Sequence, residues 1–124
     1  MAKGDDLRER LVGLAVTIMD LCDRLPKTTA GAHVTNQLLR SATFAAPNFA
    51  EARAAESARD FVHKLGVALK ELNEAEVWLD IIARRSLVPE EVSAVARREC
   101  LELCRILAAS VRTAGSKLSR LNNG

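Results

Sequence analysis

The chain has 124 residues, of which 48% are hydrophobic, 27% charged and only 3% aromatic. That length allows one domain with a real core, and the dominance of Ala, Leu, Glu and Arg, all good helix formers, makes it an all-α one. A net charge of +2 permits a nucleic-acid partner without demanding one. No apolar run approaches the ~20 residues of a membrane span, and the opening MAKGDDLRERL lacks an apolar signal core, so a cytoplasmic location without a membrane partner is expected.

The first helix is written in Leu7, Leu11, Leu14, Ile18, Leu21 and Leu25, whose spacing alternates between four and three and forms one apolar stripe. Asp5 or Asp6 can cap its start, and Pro26 closes it. After the connection PKTTAGA, the residues Val34, Leu38, Ala42, Ala45 and Phe49 continue a period near 3.6, which predicts a second helix from about Thr29 to Ala55. Pro47 falls inside it and predicts a kink, because proline removes a backbone donor and leaves the carbonyl of Thr43 without its usual partner. Thr43 and Asn48 are placed to answer that loss.

Ser57 and Asp60 form an S-x-x-D helix start. From Phe61 the stripe Leu65, Ala68, Leu72, Ala75, Leu79 and Ile82 defines a third helix about 40 Å long at ~1.5 Å per residue. Pro89 with Glu90 and Glu91 opens a fourth, lined by Val92, Ala96, Cys100, Leu103, Leu107, Ala114, Leu118 and Leu121 and stopped by NNG. Four amphipathic helices on short connections can bury their stripes only against one another. The expected fold is a single domain over residues 1–124, an antiparallel up-down-up-down four-helix bundle with helix 2 kinked near Pro47. Small residues on more than one face of helices 2 and 3 point to contacts beyond one bundle, and hence to oligomerisation.

Catalytic patterns are thin. A di-metal carboxylate bundle needs two Glu-x-x-His pairs with two further Glu, whereas this chain offers a single D-x-x-H at Asp60–His63. Cys22, Cys100 and Cys104 include no C-x-x-C pair and read as small buried hydrophobes. His33 and His63 read as helix-surface residues, no phosphate-binding or nucleophile-elbow motif occurs, and neither an enzyme nor a metal or cofactor is expected. Asn48, Glu51, Lys64 and Glu71 read as a structural polar motif of interhelical hydrogen bonds and an ion pair. Arg98, Arg105 and Arg112 recur every seven residues, and with Lys117 and Arg120 they form the candidate phosphate-binding strip for nucleic acid. Glu71, Glu74, Glu76 and Asp80 make helix 3 acidic in contrast. The strip has three readings: a solvated face, an electrostatic contact between subunits, or a nucleic-acid surface. Few rings are available for base stacking, and the helical positions of Phe44, Phe49, Phe61 and Trp78 predict their burial.

The runs R-S-x-T-x-x-x-x-N-F-x-E-A (Arg40 to Ala52), S-x-x-D-F-V-x-K-L (Ser57 to Leu65) and K-E-L-N-E-x-x-x-W-L (Lys70 to Leu79) resemble one family. It comprises the small bacterial four-helix bundle proteins encoded in intervening sequences of large-subunit ribosomal RNA genes, which look related to accessory proteins of diversity-generating retroelements. L-P-K-T and N-Q-L-L, at Leu25 to Thr28 and Asn36 to Leu39, also fit. Ala52 stands where many members have Gly, and Phe44 where many have a small polar residue. The resemblance implies a ring-shaped homopentamer with no established catalytic activity. It also implies RNA, or a nucleic-acid-handling protein such as a reverse transcriptase met through a basic surface, as candidate partners. The expected role is a non-enzymatic scaffold or adaptor.

Overall fold

The computed structural model describes residues 3–123, and all of the regular structure among them is helical: α1 (Lys3–Asp23), α2 (Thr29–Arg53), α3 (Ala58–Arg84) and α4 (Glu90–Asn123). α1 and α3 each pack against α2 and α4, while the backbones of the diagonal pairs α1/α3 and α2/α4 stay apart across the shared core. The cross-helix pairs run in opposite senses. Asp5 meets Arg53 across α1 and α2, whereas Glu51 meets Lys64 and Arg40 meets Glu74 across α2 and α3. On the other side Asp80 meets Arg97. These pairs give the antiparallel arrangement that the short connections require.

Every leucine of the predicted stripes of α1 and α3 is buried, and Ile18, Leu38, Leu72, Leu79, Ile82 and Leu107 are fully inaccessible. Fully burying one such side chain contributes ~1.5–3 kcal/mol, so this shared core outweighs any single polar contact. The burial in α4 stops at Leu107, however. Ala114 and Leu118 are half-buried, and Leu121 lies open.

The helix ends are satisfied locally. Ser57 caps α3, its hydroxyl accepting from the Asp60 amide at 3.0 Å, as the S-x-x-D pattern requires. Thr28 caps α2 in the same way, accepting from Gly31 N at 3.1 Å. α1 starts before Asp5 and Asp6, which lie in its first turn rather than at the cap. α3 ends in a pair of bonds, Ser86 N to Ala83 O and Leu87 N to Ile82 O, around Ser86 at φ 51°. This is a Schellman closure with serine in the left-handed position usually given to glycine.

α2 runs as one helix through Pro47. The polar neighbours do not repair the missing bond as expected. Asn48 Nδ2 donates to Phe44 O at 2.8 Å and Thr43 Oγ1 donates to Leu39 O at 2.6 Å, so neither side chain reaches the Thr43 carbonyl. The amide at 48 is within reach of the carbonyl one turn back, and that acceptor lies one residue beyond the orphaned one.

Candidate interaction surfaces

The polar motif read from the sequence does not form one network. Glu51 and Lys64 do tie α2 to α3, with Lys64 Nζ donating to Oε1 at 3.3 Å. Asn48 is spent on its own helix. Glu71 is buried, and its Oε2 has no hydrogen-bond partner. Three further acids of α3 are used between helices: Glu74 binds Arg40 at 2.8 Å, and Arg97 of α4 bridges Glu76 and Asp80 at 3.8 and 3.3 Å. Because the side chain of Glu51 is 57% exposed, Glu51→Ala is expected to lower the unfolding free energy by less than about 1 kcal/mol in urea titrations.

The recognisable R-S-x-T segment is thereby explained as structure. Arg40 reaches across to α3, and Ser41 is fully buried with its hydroxyl turned back to the carbonyls of Gln37 and Leu38. Trp78 meets His33 edge-on, with ring centroids 5.7 Å apart. Phe49 is buried and Phe61 packs against the core, but Phe44 is 49% exposed, contrary to the expectation of burial. Its position carries the helical period of α2 outward, away from the Ala42, Ala45 and Phe49 side.

The thiols are held protonated near neutral pH where they are most enclosed. Burial, aided by Asp23, pushes Cys22 up to about 11. Cys100 is raised by its hydrogen bond with Cys104 and by burial, and its Sγ also donates to Leu72 O at 3.5 Å. A thiol kept from ionising is a poor nucleophile. Among the described residues no group of three or more His, Cys, Asp or Glu side chains converges as a metal site would need.

On α4, Arg98, Arg105 and Arg112 are all exposed, as their seven-residue spacing predicts. The strip is diluted by acid: Arg98 and Arg105 share a shallow surface with Glu99 and Glu102, and Glu102 lies 3.6 Å from Arg105. Lys117 lines a separate groove against α1 and α3, while Arg120 stands exposed in the last turns.

Two features escaped the sequence reading. Arg10 clamps Glu99 in a two-pronged contact, Nε to Oε2 at 3.0 Å and Nη2 to Oε1 at 2.7 Å, which closes the α1–α4 seam and raises the Arg10 guanidinium above its ordinary value. The partners stand 89 residues apart, and no local pattern joins them. The other is a second apolar stripe on α1, where Val12, Val16 and Met19 are 37, 52 and 50% exposed. Their spacing of four and three was visible in the sequence beside the core stripe. Val77 and Ile81 repeat the pattern on α3 at 54 and 36%.

An all-α four-helix bundle emerges, with ion pairs across each of its seams and spare apolar residues on the outside. The chain belongs to the family described as 23S rRNA-intervening sequence proteins, whose model matches residues 6–109. It is also similar to the crystal structure, at 1.70 Å resolution, of a protein with unknown function from the S23 ribosomal protein family of Bacteroides thetaiotaomicron VPI-5482. The two share 30% identity and a TM-score of 0.81 over 90% of this chain and 99% of that one. No curated protein matches the chain.

Proposed function

We propose that the protein is a non-enzymatic, cytoplasmic scaffold or adaptor that works as a homo-oligomer, a ring-shaped homopentamer. The observation that carries this reading is the apolar surface left outside the core on α1 (Val12, Val16, Met19) and on α3 (Val77, Ile81). Those two helices are diagonal in the bundle rather than neighbours, so their outer faces look in different directions. A monomer gains nothing from apolar stripes on two sides, whereas a subunit with two different neighbours can cover both. Unlike surfaces that meet head to tail close into a ring when the rotation between neighbours divides the full circle. Light scattering on the purified chain tests this. A mass near five chains is expected, and a mass of one chain overturns the reading.

A second reading takes RNA, or a nucleic-acid-handling protein such as a reverse transcriptase, as the partner of the scaffold. It is favoured by the exposure of Arg98, Arg105 and Arg112 along one side of α4 and by the ribosomal RNA context in the family's description. Retention on ribosomal RNA would then fall with salt and weaken further in an Arg105→Glu, Arg112→Glu variant. Absent or salt-independent retention would remove RNA and leave a protein partner.

A further inference from the structure

The last turns of α4 carry a surface that the bundle does not use. With 34 residues against 21 in α1 and 27 in α3, α4 is the longest helix, and nothing in it after Leu107 is buried. There it runs beside the first turns of α1 and α3, and the three helices form an open groove of about 780 Å³. Leu7, Phe61, Ile106, Ala114, Leu118 and Leu121 supply its apolar wall, and Leu121 is 72% exposed. An open apolar groove of this kind fits the side of one amphipathic helix. Ala114, Leu118 and Leu121 lie beyond residue 109, where the family match stops, so the α4 side of the groove extends past the matched region while its α1 and α3 sides lie within it.

Charge says which helix fits. From Leu103 to Gly124 the sequence has cations and no acid. Arg112, Lys117 and Arg120 are exposed and form no ion pair among the described residues. On the outer face of α1, the apolar stripe Val12, Val16 and Met19 is followed by Asp20 and Asp23, both exposed and likewise without an ion pair among the described residues. The stripe supplies the i, i+4, i+7 anchors that a groove of this type takes, and its acids complement the groove's cations. Asp6 is the one acid in the groove's lining. It also marks where α1 enters the groove, and Asp20 lies 14 residues farther along that helix. At ~1.5 Å per residue the separation is about 21 Å, too far for Lys117 to reach Asp20 of its own chain.

We propose that the groove between the α4 tail and the starts of α1 and α3 seats the outer α1 stripe of a second copy, with Lys117 and Arg120 facing the second copy's Asp20 and Asp23. This rests on the self-assembly proposed above and assigns one contact within it. The two surfaces are unlike and lie on one chain, so each copy offers both, and the contact is head to tail.

Carbodiimide coupling tests it, because it joins a carboxylate to the Lys117 ammonium as an amide with loss of one water. The full chain is prepared in light and nitrogen-15 forms, mixed in equal parts, coupled, and read by peptide mass spectrometry beside light scattering of a Leu118→Glu, Leu121→Glu variant. The proposal expects mixed light-heavy peptides joining Lys117 to Asp20 or Asp23. It also expects self-association of the variant to weaken by on the order of 100-fold, with its helical circular dichroism unchanged, since neither leucine is buried. Should the native chain assemble while those peptides are missing and the variant keeps its mass, this contact is wrong and assembly stands through other faces. A native chain that stays monomeric overturns the contact and the scaffold reading together.

Discussion

Leu72→Ala is expected to lower the unfolding free energy by about 2–5 kcal/mol, read as a fall in the urea midpoint at constant slope. Leu72 is wholly inaccessible on α3, the helix that packs against both α2 and α4, and its carbonyl receives the Cys100 thiol. Truncation there removes apolar area from the junction of three helices. The walls of the resulting void belong to rigid helical backbones that close on it only in part. For a bundle of this size, each kcal/mol shifts the melting temperature by about 3–6 °C, so the variant should melt at least 6 °C lower. A drop under 2 °C would mean that the leucine stripe of α3 is not the centre of the core.

Gly31→Ala should cost about 1–3 kcal/mol although the residue sits in an ordinary helical turn, where alanine is normally the better choice. A methyl group at this position would overlap the carbonyl oxygen of Pro26, and it would stand 3.0 Å from the carbonyl carbon and 3.2 Å from Thr28 Oγ1. The chain folds back on itself between α1 and α2 at this point, and the same few residues carry the Thr28 cap. Backbone cannot yield as a flexible side chain can. Gly13 gives the contrast, because an added methyl there meets nothing within 4 Å. Gly13→Ala should therefore stabilise by up to ~1 kcal/mol. Opposite signs for the two substitutions in thermal melts are the expected outcome, and equal signs would show that the Pro26 contact does not constrain α2.

The fold was legible because each helix states its own period. Leu65 to Ile82 is a run of alternating four and three spacings that no strand could use, and Ser57 with Asp60 marks its start within a residue. Surface chemistry was less legible, for a physical reason. Whether Lys64 on α3 meets Glu51 on α2 depends on the axial stagger of two helices and on which rotamer a long side chain adopts, and hydropathy encodes neither. Lys64 does reach Glu51, 13 residues away, while Glu71 keeps an oxygen without a partner and Arg10 finds Glu99 across the whole chain. Phe44 was misjudged on its helical phase, which carries it away from the buried Ala42, Ala45 and Phe49 side of α2. The seven-residue spacing of Arg98, Arg105 and Arg112 did predict a shared exposed face. It could not show that Glu102 would lie against Arg105.

The unequal seams of the bundle bear on how it assembles from the unfolded chain. Three of the four helix pairings join neighbours in sequence across connections of a few residues, so the chain entropy lost in closing each is small. The pairing of α2 with α3 is the most extensive and needs only the turn at 54–57 to form. α1 and α4, by contrast, share the slightest seam and must bring the two ends of the chain together around the Arg10–Glu99 clamp. The central hairpin is therefore the natural nucleus, and the closing of the outer helices onto each other is the natural last step. In the native state the same seam is the place where the bundle opens most readily.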